Sequence, residues 1–222
     1  MSPASLLGTW VMVLTLASRV QVPMLRELRS ETRSVLAVRI EARGGQLWQA
    51  QRVCDARINE EQRLVRTLLP PAFVASLPSA SFPVSTWEAG GAWYYSADFG
   101  RQAVGWSGSG ALPSAPEDPA VVDSDGDGRP GATVLVEAPF VGAGEVWVAQ
   151  VGRTTASGRI EADRIAGAVA VPELRQRVLG ASSRLLLHAP EITPDPASSR
   201  FEMWRVDQPG CVSALRAAGV GR

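Results

Sequence analysis

LAVRIEARGGQLWQAQRVC, residues 36–54, decides the class of fold. Its first half alternates Leu36, Val38, Ile40 and Ala42 with Ala37, Arg39, Glu41 and Arg43, a period of two that gives a strand one dry face and one wet one. Gly44-Gly45 then fits a two-residue hairpin turn of the primed type, whose central residues need positive φ, and residues 46–54 alternate again. Working outward, similar runs fall at 9–17, 64–69, 93–99, 145–151, 165–171, 184–188 and 201–206. Gly, Pro and Ser separate them, with turn signals at Gly90-Gly91, Gly142-Ala143-Gly144 and Ser157-Gly158. Helical signals are confined to 173–179, after Pro172, and 71–77. Segments 78–83, 107–119 and 190–199, rich in Pro, Ser and Gly, read as loops. The pattern predicts an all-β chain, one antiparallel barrel or sandwich of about eight to ten strands over residues 1–222, with a soft boundary in the 107–119 loop.

Composition excludes several functions. Twenty-two basic and twenty-two acidic residues cancel, and no basic block marks a nucleic-acid or anionic-membrane surface. All the basic residues are Arg, so arginine here fills ordinary surface positions and no single one reads as a phosphate clamp. No run reaches the roughly 18 apolar residues of a transmembrane helix, and with only Tyr94 and Tyr95 as tyrosines the chain lacks the aromatic girdles of an outer-membrane barrel.

The most specific chemistry lies in Asp123-Ser124-Asp125-Gly126-Asp127-Gly128. Three carboxylates at every second position repel one another unless a cation neutralises them, and a hard cation such as Ca2+ takes six to eight oxygens. The stretch resembles the first half of an EF-hand loop, and also the acidic loops of dockerins, thrombospondin type 3 repeats and integrin-like propeller repeats. That resemblance implies side-chain oxygens from Asp123, Asp125 and Asp127, a sharp turn at Gly128 and a backbone carbonyl from Arg129. It ends at Gly131: the closing Glu of an EF-hand is replaced by Val134, and Pro130-Gly131 opposes a following helix. The loop therefore reads as a link between strands at 119–122 and 133–137, with Glu117, Asp118 and Glu137 as the nearest acidic residues to complete the shell.

Gly8-Thr9-Trp10 resembles the Gly-x-Trp start of a lipocalin, in which the Trp closes one end of an eight-stranded barrel. The resemblance implies that Arg205, in Trp204-Arg205, packs over Trp10, and that Cys54 and Cys211 form the disulfide tying the carboxy-terminal tail to the barrel. It also implies a small apolar ligand held in the barrel mouth. The chain is longer than a typical lipocalin, and Ser96-Ala97-Asp98-Phe99 stands where a Thr-Asp-Tyr motif would be expected. Read without that resemblance, the two cysteines permit either one bridge in an oxidising compartment or two buried thiols, since Cys54 continues the alternation of Trp48 and Ala50.

Residues 6–17 lack a basic leader and an Ala-x-Ala site, so they read as the first strand; no signal peptide is visible in this chain, and a periplasmic or extracellular location would rest on sequence upstream of it. Catalytic material is scarce. His188 is the sole histidine and reads as a strand-end residue, and Gly105-Trp106-Ser107-Gly108-Ser109-Gly110 fails the Gly-x-Ser-x-Gly pattern. Glu88, Asp98, Glu137, Glu145 and Glu202 lie on or near strands and are candidates for a glycosidase-type carboxylate pair, with Trp87, Trp93, Tyr95, Trp106 and Trp147 as candidates for a sugar platform. The sequence thus predicts an exported binding or structural module with a structural calcium loop. The alternatives are a calcium-dependent hydrolase and an interaction module of a surface assembly.

Overall fold

The computed structural model describes residues 3–21, 27–61, 65–107, 110–138, 142–188 and 190–220. In chain order the elements are β1 (Gly8–Gln21), β2 (Leu28–Arg43), β3 (Gln46–Glu60), β4 (Arg66–Leu68), α1 (Pro71–Ser76), β5 (Ala80–Ala89), β6 (Ala92–Val104), β7 (Ala132–Ala138), β8 (Gly142–Glu161), β9 (Arg164–Ala181), β10 (Glu191–Pro194), β11 (Arg200–Arg205) and α2 (Cys211–Ala217). Short 3-10 helices at Pro3–Leu6 and Arg184–Leu186 complete the list. Eight strands close a ring in the order β1-β2-β3-β5-β6-β8-β9-β11, each antiparallel to its neighbours, with β11 returning to β1. Ring order equals chain order, so every connection is a hairpin or an excursion that returns to the neighbouring position, and no sheet edge is left in the ring.

Five strands, of 14 to 20 residues, are longer than that ring requires. Their upper halves build a second storey. β8 pairs with β6 along 150–160 but with β7 along 142–148, and β7 carries β4. β1 pairs with β11 along 10–15 and with β10 along 18–21. β3 keeps β5 only along 47–51; above Gln51 that edge of β3 makes no strand pairing among the described residues. β4 and β7 thus stand above β5 and β6, and a seam separates β4 from β3.

Alternation places one set of residues inside the ring. In the lower storey Trp10, Met12, Leu36, Val38, Ile40, Phe82, Tyr95, Phe99, Ile165, Phe201 and Met203 form one apolar core. Outward-facing Val11 and Val35 are also fully buried, because α2 lays Ala214 over them. The Gly44-Gly45 turn is as the sequence predicts, with φ of 57° and 80°.

Several expectations are corrected. Residues 173–179 are strand rather than helix, since pairing with β8 residues 148–153 overrides their propensity. Residues 184–186 form a 3-10 helix capped by Ser183 rather than a strand. Segments 78–83 and 190–199 are not simply loops: they contain the start of β5 and all of β10. The strand expected at 119–122 reduces to a single bridge, Val121 to Trp106. That expected at 64–69 is the three-residue β4, and Leu64 lies outside the described residues. α2 was not foreseen.

Candidate metal centre

The acidic loop is held against β8 at both of its ends. Gly105 and Gly131, with φ of 77° and 91°, lie so close to the Val148 carbonyl that a Cβ would sit 2.2 Å and 2.5 Å from it. Ser124 stitches the ends together: its N–H donates to the Gly131 carbonyl at 2.9 Å, and its Oγ accepts the Gly105 N–H at 2.9 Å. Between these points the chain wraps around Asp123. Its Oδ1 accepts the N–H groups of Gly126 (2.7 Å) and Asp127 (3.2 Å), and its Oδ2 that of Gly128 (2.9 Å). Asp125 Oδ2 accepts the Thr133 N–H at 2.8 Å, while the Thr133 hydroxyl donates to Asp127.

This folding brings together the three aspartates that the sequence singles out. Carboxylate oxygens of Asp123, Asp125 and Asp127 lie within 4.8 Å of one another. Asp125 Oδ1 is buried and has no hydrogen-bond partner among the described residues. Burial first, and then the neighbouring Asp127 and Asp123 charges, raise the Asp125 carboxyl above the ordinary range. Burial acts the same way on Asp123 but is outweighed by the N–H donors of Gly128, Gly126 and Asp127, which hold it below that range. The Arg129 guanidinium stacks over Trp147 at 4.9 Å, next to Thr133 across the β7–β8 ladder.

The proposed extra acids do not join the cluster. Asp118 accepts the Ala120 N–H, Glu137 pairs with Arg66, and Glu117 is exposed. Thr133, which binds two of the three aspartates, was missed; its only sequence signal is a hydroxyl placed six residues beyond Asp127.

The other predicted residues are placed as follows. Trp10 is buried at the lower end, its Nε1 donating to the Leu6 carbonyl at 2.9 Å, and Arg205 lies over its ring with Cζ 4.5 Å from the centroid. Arg205 also donates to the carbonyls of Leu7 and Ser5. Cys54 and Cys211 are joined in a disulfide, with Cα atoms 5.2 Å apart. Four of the five carboxylates are paired to arginines, Asp98 with Arg153, Glu137 with Arg66, Glu145 with Arg129 and Glu202 with Arg164, while Glu88 is exposed. The aromatic residues form no common platform. Tyr95 and Trp93 belong to the lower core, Trp106 packs behind β8, and exposed Trp87 stacks on Tyr94. His188 is exposed beyond the 3-10 helix rather than at a strand end.

The sequence matches no protein-family model and no curated protein.

Proposed function

We propose that this chain is a calcium-stabilised β-barrel acting as a binding or structural module outside the reducing cytoplasm. The orphaned, buried Oδ1 of Asp125 beside two further carboxylates carries the reading, because a lone carboxylate oxygen without a donor is expensive to bury and a hard cation would satisfy it. Asp123, Asp125 and Asp127 would supply side-chain oxygens and Arg129 its carbonyl, with water completing the shell. The ion would neutralise three crowded charges and fix the loop to the long strand β8. The disulfide supports an oxidising compartment, periplasmic or extracellular.

A module is favoured over a hydrolase, since four of the five strand carboxylates that catalysis would need are paired to arginines. The stacking of Arg205 on Trp10 at the closed end supports the lipocalin-like reading of the barrel and, with it, a small ligand held at the opposite, upper end.

Thermal melting during a calcium titration tests the metal site. Millimolar ion over a micromolar site adds about 4 kcal/mol, which in a chain of this size raises Tm by roughly 8–16 °C. Asp125→Asn should lose most of that gain. An unchanged Tm in the wild type overturns the calcium assignment.

A further inference from the structure

The inner face of the upper storey differs in chemistry from that of the lower one. The β1–β2 ladder runs without a register shift, so Ser30, Thr32 and Ser34 face inward with Leu36, above the core. Across the ring Val104 and Val148 pack inward together. Their ladder partners place Gln102, Gln150 and Gln176 on the same inner face, with Gln150 directly opposite Gln176. Thr154 follows on β8, one step from inward-facing Ala156.

These side chains make no hydrogen bonds among the described residues, and Gln150 and Gln176 do not bond to each other despite their opposition. They are nevertheless not sealed in. Among the described residues only Asp125 Oδ1 and Trp147 Nε1 are buried side-chain polar atoms without a partner, so the inward hydroxyls and amides reach space large enough for water. Even Ser30, only 8% exposed as a residue, obeys this. From below, a directed chain reaches the same level: the Tyr95 hydroxyl donates to Gln49 at 2.7 Å, and the Gln49 amide donates to Gln51 at 2.9 Å. The Gln51 amide N–H groups are left to donate further, at the position where β3 loses β5.

A way in lies at the seam. A cleft of about 700 Å³ opens between β3 and the start of β4, lined on one side by the inward-facing Ala56, Ile58 and Glu60 and on the other by Thr67, Leu68 and Leu69; the charged residues Asp55, Arg57 and Arg66 also line it, with Arg57 paired to Asp55 and Arg66 to Glu137. Glu60 is the charged residue that the strand registers place on this inner face, and its Oε1 is engaged by the Thr67 N–H at 2.8 Å. An anionic ligand would be buried beside this carboxylate without a counter-charge, at high cost, and a cation could pair only with Glu60, leaving the Ser, Thr and Gln lining unmatched. Neutral hydroxyl and amide groups both donate and accept, matching the Ser, Thr and Gln lining, while Val104, Val178 and Ile58 offer apolar contact.

We infer that the upper storey binds a neutral small molecule carrying several hydroxyl groups on a partly apolar skeleton, a glycoside or polyol-type ligand, admitted through the β3–β4 cleft. This rests on the reading of the chain as a binding barrel, is independent of the calcium loop, and replaces the purely apolar ligand expected from the lipocalin resemblance.

The test uses three probes with one eight-carbon chain and different heads, octyl glucoside, octyl sulfate and octyltrimethylammonium, each below its micelle concentration and titrated calorimetrically into the full chain with calcium present. Octyl glucoside should bind at least ten-fold more tightly than either charged probe. The double variant Gln150→Met, Gln176→Met should weaken octyl glucoside at least ten-fold while Tm holds or rises. If that variant does not fold, near-isosteric Thr32→Val should weaken the same probe and leave the charged ones unchanged. Equal affinity for all three heads overturns the ligand class and leaves a binding barrel. An unchanged glucoside affinity in the variants overturns the site, and binding of none of the three overturns the binding-barrel reading itself.

Discussion

The lower and upper storeys are built from the same long strands but solve opposite problems. Below, the inner face is close-packed: Trp10, Tyr95, Phe201, Met12 and Met203 are at most 1% exposed, the Trp10 N–H is taken by the Leu6 carbonyl, and the Tyr95 hydroxyl leads through Gln49 to Gln51. Above, Phe73, Ala132, Val146 and Val148 cluster beside β7, but Ser30, Thr32, Ser34, Gln102, Gln150 and Gln176 face inward with no side-chain hydrogen-bond partner among the described residues, and the ring opens at the β3–β4 seam. The junction falls where β2 and β3 slip register between Val35 and Leu36 and Cys54 is the extra residue. A bulge there lets both storeys keep their inward sets while the strand bends, and it turns Cys54 outward to meet Cys211 of α2. The lower storey therefore holds the larger core, and the upper one keeps the polar inner positions that can carry a site.

The division is most sharply tested by truncation on each side of the junction. The disulfide that clamps α2 onto the bulge closes most of the chain into one loop, so the Cys54→Ser, Cys211→Ser variant should lose the most, about 5 kcal/mol in the chain-entropy model, read by denaturant unfolding. Phe201→Ala, in the dry core, should cost about 4 kcal/mol and lower Tm by roughly 8–16 °C. Gln176→Leu, on the wet face, should stay within about 1 kcal/mol of wild type. If Phe201→Ala were as mild as Gln176→Leu, the lower storey would not be the stabilising half. Tyr95→Phe sharpens the comparison, because it leaves the fully buried Gln49 Oε1 without its donor at a cost of about 1–3 kcal/mol.

The sequence made the local features legible and left the closing contacts hidden. The hairpin at Gly44-Gly45 and the aspartate spacing are local, and both stand where the alternation and the motif put them. Thr133, Gly105 and Gly131, which seat the acidic loop on β8, act through contacts with partners the chain order does not reveal. The 173–179 misreading has the same origin: Glu-Leu-Arg-Gln-Arg-Val-Leu is good helix material, and only the long β8 beside it makes it a strand. Gln49 and Gln51 share a face with Leu47 and Val53 by period alone, but which face is interior is decided by ring closure. Pro83 and Pro194 disguised β5 and β10 as loops, although each proline is accommodated within its ladder, opposite Trp48 and Ser18.

The smallest effect expected lies on the outer wall at the β6 bulge. The Arg153 guanidinium first, and then the Gly100 N–H, hold the Asp98 carboxyl below its ordinary range. Its folded pKa is therefore below its unfolded one, so the carboxylate contributes stability fully above the unfolded value, about 3.9, and loses that contribution as pH falls through the folded value. Asp98→Asn should accordingly melt slightly below wild type at pH 7, with the difference closing below about pH 4. The pair is largely exposed, so high salt should narrow the gap at pH 7 as well. A difference between wild type and variant that persists unchanged at pH 2 would mean that Asp98 acts through the shape of the bulge, by way of its bond to Gly100, rather than through its charge.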